Sequence, residues 1–194
     1  MLNRDAGGTD NSGRAFRTAL TTQSGAPLTP AAYGTMQWGG TADLSAAQAM
    51  FDACLDTDIR HFDTAFVYTD GKSEAFLGDI AGNRDDVFVA TKVAYSQPAT
   101  TANIQTSFDV SRKRLKRDCV DLLYMHRFDD MTPLEHTFEA LAGLQSSGAI
   151  RYIGVSNYAA WQVMKAQSVA ATFGTKIDVI QPMMNLVKRQ VEAE

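Results

Sequence analysis

One pattern repeats along this chain: a short run of apolar, β-branched and aromatic residues, then an amphipathic segment, at about the 30-residue spacing of a βα unit. The runs fall at residues 32–35, 60–63, 87–91, 120–126, 151–155 and 177–181 and read as strands covered on both faces. Helical signals lie between them. Ser45-x-x-Gln48 and Thr132-Pro133-Leu134-Glu135 read as capping-box helix starts, with Pro133 at the first helical position. Leu134, Phe138 and Leu141 then recur at helical spacing, and Gly148 supplies a left-handed stop. Ile104, Phe108 and Leu115 mark another helix. Its basic end, Arg112, Lys113, Arg114, Lys116 and Arg117, suits a helix C-terminus and reads as a solvated face.

Repeated βα units with right-handed crossovers build either a doubly wound sheet or a (β/α)8 barrel. The first strand-to-helix turn, Tyr33-Gly34-Thr35-Met36-Gln37-Trp38-Gly39-Gly40, contains no GxGxxG and does not argue for a dinucleotide-binding Rossmann fold. Arg17–Leu20, the turn Gln23-Ser24-Gly25 and Pro27–Leu28 read as a small hairpin capping the closed end of a barrel. Residues 1–14, rich in Gly, Asp, Asn and Ser, read as a flexible tail, and 15–194 as one domain.

Composition narrows the partners. With 45% hydrophobic and 21% charged residues the chain is of globular type. Its formal net charge of −4 argues against nucleic acid as the main partner. No apolar run approaches the roughly 20 residues of a membrane span, and the N-terminus lacks the apolar core of a secretory signal. A cytoplasmic protein without a membrane partner is expected. Cys54 and Cys119 lack CxxC spacing and read as free thiols, and no metal site is expected. The sequence leaves the oligomeric state open.

Polar residues gather at the C-terminal ends of the strands, where α/β folds build active sites: Asp63, Lys92, His126, Ser156, Asn157 and Gln181. Singly, each has a structural reading. Asp63 suits a turn, Lys92 can snorkel, His126 can be a satisfied core histidine, Ser156-Asn157 can cap a helix, and Gln181 can bond backbone. Met36 and Trp38 can be plain core. Their recurrence strand after strand points to a site.

The segments carrying these residues resemble the aldo-keto reductase family: His61-Phe62-Asp63-Thr64-Ala65-Phe66-Val67-Tyr68 with Gly71-Lys72-Ser73-Glu74, Ala90-Thr91-Lys92-Val93, Asp121 to Arg127, Gly148 to Asn157, and Gln181 to Leu186. The resemblance runs from about Arg17 onward. It implies a (β/α)8 barrel with an N-terminal hairpin, of which about six βα units are present and strands seven and eight are not. The chain is therefore expected to be a partial sequence of a longer reductase. It also implies reduction of aldehydes or ketones with NADPH, by a tetrad of Asp63, Tyr68, Lys92 and His126. Tyr68 would donate the proton, and a nearby Lys92 ammonium is expected to lower its pKa. Ser156, Asn157 and Gln181 would hold the nicotinamide carboxamide, with Gly34, Thr35, Met36 and Asp63 also toward the cofactor. Trp38, Tyr95, Arg127 and Phe128 would line the pocket for a small carbonyl substrate. Met184 stands where many relatives carry a tyrosine. The alternative is a nucleotide-sensing binding subunit or inactive fragment on the same fold.

Overall fold

A computed structural model describes residues 20–193. The 1–14 tail, and residues 17–19 of the expected hairpin, lie outside the described residues.

Six strands run β1 (Tyr33–Gly34), β2 (His61–Asp63), β3 (Phe88–Val93), β4 (Val120–Met125), β5 (Ile150–Ser156) and β6 (Val179–Gln181). The intervening helices are α1 (Leu44–Asp56), α2 (Lys72–Ala81), α3 (Thr101–Leu115), α4 (Leu134–Ser146) and α5 (Ala160–Thr172). Every neighbouring pair is parallel and the spatial order is the sequence order, β1 to β6. A doubly wound sheet reverses its order at a switch point. With no reversal among them, these strands form six neighbouring strands of a (β/α)8 barrel.

The two sheet faces bury different residues. On the outer face, Val89, Leu123, Ile153 and Val155 meet Phe51, Leu77, Phe108, Phe138 and Leu141 from the helices. On the inner face Phe88, Ala90, Leu122 and Tyr124 pack together, with Leu28 of the N-terminal segment and the half-buried Tyr152 and Val179. Side chains alternate with period two. The next inward positions above this layer are therefore Lys92, His126 and Ser156, with Asp63 and Gln181 at the ends of β2 and β6.

A buried ion cluster ties the N-terminal ends of the strands to the segment that precedes β1. Among the described residues, the expected hairpin shows the antiparallel bridge Thr21 to Pro27 and a tight turn in which Thr22 N–H donates to Ala26 O at 2.9 Å. Asp121 is fully buried and accepts from Val89 N–H at 2.9 Å and Arg151 Nη1 at 2.7 Å, while Arg117 lies at 3.6 Å. Arg151 also donates to Thr21 O at 2.8 Å. One carboxylate thus ties β3, β4 and β5 to the end of α3 and to the N-terminal segment.

Three local expectations are corrected. The cap of α1 is Asp43, whose side chain accepts from Ala46 N–H; Gln48 bonds Asp52 instead of closing a box from Ser45. Thr132 does not cap α4: its hydroxyl donates to Asp129 at 2.6 Å, and Pro133 takes the cap position without a side-chain bond. Gly148 does adopt the left-handed stop, at φ 76°. The basic run is not simply a solvated face, since Arg117 is 5% exposed and donates to Arg84 O, and Arg114 pairs with the buried Glu74. Cys54 and Cys119 are free thiols, and burial pushes both pKa values up. Among the described residues no helix is long and apolar enough to cross a membrane.

Removing the Asp121 carboxylate leaves two arginines and an amide N–H without their shared acceptor. Asp121→Ala is expected to destabilise the fold by about 3–5 kcal/mol, measured as a lowered urea midpoint. A loss below about 1 kcal/mol would mean that the cluster behaves as exposed ion pairs do.

Candidate active site

Lys92 sets the site. It is 1% exposed, on a strand buried along its whole length. An ammonium there needs nearby acceptors. Lys92 Nζ donates to Asp63 Oδ2 at 2.5 Å and to Thr64 O at 2.8 Å. It lies over two aromatic faces, 5.1 Å from the ring centroid of Tyr68 and 5.7 Å from that of Tyr124. Burial pulls its pKa down while Asp63 pulls it up, and burial wins. Gln181 Nε2 reaches the same Asp63 oxygen at 3.3 Å, leaving Asp63 Oδ1 buried without a partner.

His126 follows β4, its backbone N–H donating to Val93 O at 2.9 Å. Its ring meets Tyr68 edge-on, with centroids 5.7 Å apart, and Tyr95 at 4.8 Å. Its Nδ1 is buried and unpartnered. Burial, then Lys92, pushes its pKa down to about 4, so the ring is neutral at pH 7.

Tyr68 departs from the sequence reading. Its pKa is pushed up to about 12, by burial first and then by Asp63 and Tyr95. The net shift is upward even with the Lys92 ammonium 5.1 Å from the ring centroid, so burial outweighs any lowering by that charge. The phenol is thus held as the protonated form.

Next along the sheet, Ser156 Oγ donates to Gln181 O at 3.0 Å, and Asn157 Nδ2 donates to His126 O at 2.9 Å and Ser156 Oγ at 3.1 Å. Asn157 sits at φ 57°, a region asparagine tolerates better than most residues. A cavity of about 750 Å³ brings together Tyr68, His126, Ser156, Asn157 and Gln181 with Met36, Tyr95 and Arg127. Asp63 and Lys92 are buried beside Tyr68 rather than among its lining residues.

Some expected pocket residues lie elsewhere. Trp38 is 1% exposed and packs against Tyr33 and Phe62 in the outer-face core. Thr35 is buried, its hydroxyl bonded to Asp63 O and Ser73 Oγ, so it braces β1 to β2 and α2. Gly34 is exposed at the end of β1. Phe128 meets Tyr158 edge-on and Trp161 at a tilt, and lines a separate groove of about 460 Å³. Sequence reading missed Val67 and Met183 as wall residues of the main cavity. It also missed an adjoining 410 Å³ cavity that shares Asn157 and Gln181 and adds Lys188 and Gln190. Val67 lies in the His61–Tyr68 segment and Met183 in the Gln181–Leu186 segment that carry the resemblance, while Lys188 and Gln190 lie beyond both.

A sequence profile described as "Aldo/keto reductase family" matches residues 31–194. Aflatoxin B1 aldehyde reductase member 2 of Mus musculus is 38% identical over 179 residues, covering 88% of this chain and 49% of that protein. Aldo-keto reductase YhdN of Bacillus subtilis (strain 168) is 36% identical over 171 residues, 83% of this chain and 50% of its own length. A protein named probable voltage-gated potassium channel subunit beta, from Oryza sativa subsp. japonica, is 33% identical over 189 residues, 89% of this chain and 56% of its own. The chain spans about half the length of the curated relatives it matches.

Burial holds His126, and likewise His61, at about 4. In the unfolded chain both titrate near 6.5. Between those values the unfolded state binds more protons, so stability is full above about pH 6.5 and falls as the pH drops toward 4. The urea midpoint is expected to be lower at pH 5 than at pH 7, with the His126 imidazole NMR signal titrating near 4. A His126 midpoint near 6.5 would contradict its burial.

Proposed function

The chain belongs to the aldo/keto reductase family, and from that membership we propose that it carries the catalytic centre of a cytoplasmic NADPH-dependent oxidoreductase. The enzyme reduces an aldehyde or ketone of small size to the alcohol, with Tyr68 as proton donor. The observation that carries this reading is the convergence of a protonated, half-buried phenol, an ion-paired ammonium and a neutral imidazole with an unpartnered nitrogen.

The residues present suit the cofactor. Ser156, Asn157 and Gln181 offer a hydroxyl and two amides on one wall, a donor and acceptor set matched to a carboxamide. The buried, unpartnered Asp63 Oδ1 adds an acceptor close by. NADPH, when bound, supplies the hydride. The chain's own groups manage the oxygen. His126 orients the carbonyl by hydrogen bonding to it. Tyr68 O–H gives its proton to the oxygen as negative charge develops there. Lys92, fixed by Asp63, then stabilises the phenolate left behind.

The likeness to the rice protein named a potassium channel subunit favours a second reading, a binding subunit that senses nucleotide. Such a role has no need of a proton donor.

Both readings are tested on the protein made from its complete gene. Tyr68→Phe is expected to lower kcat/KM for a simple aldehyde by about 10²–10⁴-fold while NADPH still quenches protein fluorescence with unchanged affinity. Wild-type turnover in Tyr68→Phe would remove Tyr68 from the chemistry. NADPH binding by a wild-type protein that turns over no carbonyl compound would favour the binding subunit.

A further inference from the structure

Tyr68 stands in a turn that would not hold its shape alone. The two residues after it, Thr69 and Asp70, both take left-handed backbone angles, at φ 48° and 55°, and Gly71 follows at φ 86°. Residues with a Cβ avoid that region unless their surroundings enforce it. Thr69 Oγ1 donates to Trp38 O at 2.7 Å on one side. The other side is held by a single guanidinium.

Arg114, from α3, donates through Nη1 to Phe66 O at 3.1 Å, and its Cζ lies 4.8 Å over the Phe66 ring. Gly71 packs on the same group so closely that a Cβ there would come within 2.2 Å of Cζ. One planar cation therefore touches the chain both before and after Tyr68. It is fixed in turn by Glu74, a fully buried carboxylate of α2, at 3.1 Å. The second Glu74 oxygen accepts from Thr91 Oγ1 at 2.6 Å, and Thr91 is the residue before Lys92. Phe66 N–H closes the ring by donating to Lys92 O at 3.0 Å. The circuit runs from the Lys92 strand through Thr91, Glu74, Arg114 and Phe66 back to Lys92. Glu74 and Arg114 are not among the residues lining the main cavity.

We propose that Glu74 and Arg114 are positioning residues that hold the Tyr68 turn in register with Lys92, so that the phenol stays against the ammonium. The proposal rests on Tyr68 being the proton donor. One nitrogen, Arg114 Nη1, serves both Phe66 O and the Glu74 carboxylate, while the planar guanidinium leaves room for the close approach of Gly71. A merely structural pair would only staple α2 to α3.

The test uses the protein from its complete gene. Arg114→Met is expected to lower kcat by about 10–100-fold, with KM for NADPH and for the aldehyde within about threefold of wild type. In the same variant the Tyr68 hydroxyl, followed by NMR of ring-labelled tyrosine, is expected to titrate below the wild-type value of about 12 as the turn opens to water. Arg114→Lys restores part of both effects. Should Arg114→Met fail to fold, Glu74→Gln keeps the Thr91 contact and gives the same two changes at smaller size. Lower heat stability with unchanged kcat and unchanged Tyr68 titration overturns the proposal, as does a fall in kcat with the titration unmoved. The titration needs no turnover. If Tyr68→Phe keeps full activity while Arg114→Met still moves the Tyr68 midpoint, the positioning stands and the proton-donor role falls.

Discussion

A buried ammonium imposes more on this fold than any other group. Stripping Lys92 of water costs several kcal/mol that only close oxygens return, and the oxygens present are Asp63 Oδ2 and Thr64 O. Both belong to the end of β2, so the two strands must finish at matched heights. The register does this, with Asp63 opposite Ala90 and Lys92 one inward position higher. The pairing outlasts the formal strand: Thr64 N–H donates to Ala90 O and Phe66 N–H to Lys92 O. The segment leaving β2 is thus laid along β3, and Tyr68 comes to rest over the ammonium. The salt bridge, the register and the placing of the phenol are one arrangement.

The strands and their polar tips were legible in the sequence because both are written locally. Apolar runs buried on two faces are conspicuous, and so is a polar residue at the end of each. Parity of side-chain direction then separates the tips: Lys92 and Ser156 share the inner face with Ala90 and Gly154, which the alternation predicts. The same rule does not reach past a strand end. Trp38 lies four residues beyond β1, in a turn whose path periodicity does not fix, and it faces the outer core rather than the cavity.

What sequence reading missed was decided at long range. Arg114 looked like the end of a solvated basic helix, because its carboxylate lies 40 residues earlier in the chain. Arg117 shares Asp121 with Arg151, 30 residues beyond that carboxylate. Helix starts failed for a related reason. Thr132 has the right spacing to Glu135, but the Asp129 carboxylate takes its hydroxyl first. A local motif states which bonds are available and not which competitor is nearer.

The direction of the Tyr68 shift alters the division of labour in the proposed reaction. A phenol titrating near 12 stays protonated at neutral pH and meets the substrate as the acid; in the proposed reaction Lys92 offsets part of what burial costs the phenolate. Before proton transfer, Lys92 and Asp63 sum to zero charge and Tyr68 is neutral. Once Tyr68 gives up its proton, the trio carries one negative charge in a site that excludes much of the water. The ammonium at 5.1 Å from the ring then has a second anion to serve besides Asp63. That places its stabilisation where charge appears during the reaction rather than in the resting state, which is the difference that lowers a barrier. It also makes the geometry of the Tyr68 turn matter most after the proton has moved, when the phenolate must stay against Lys92 until water at the cavity returns a proton.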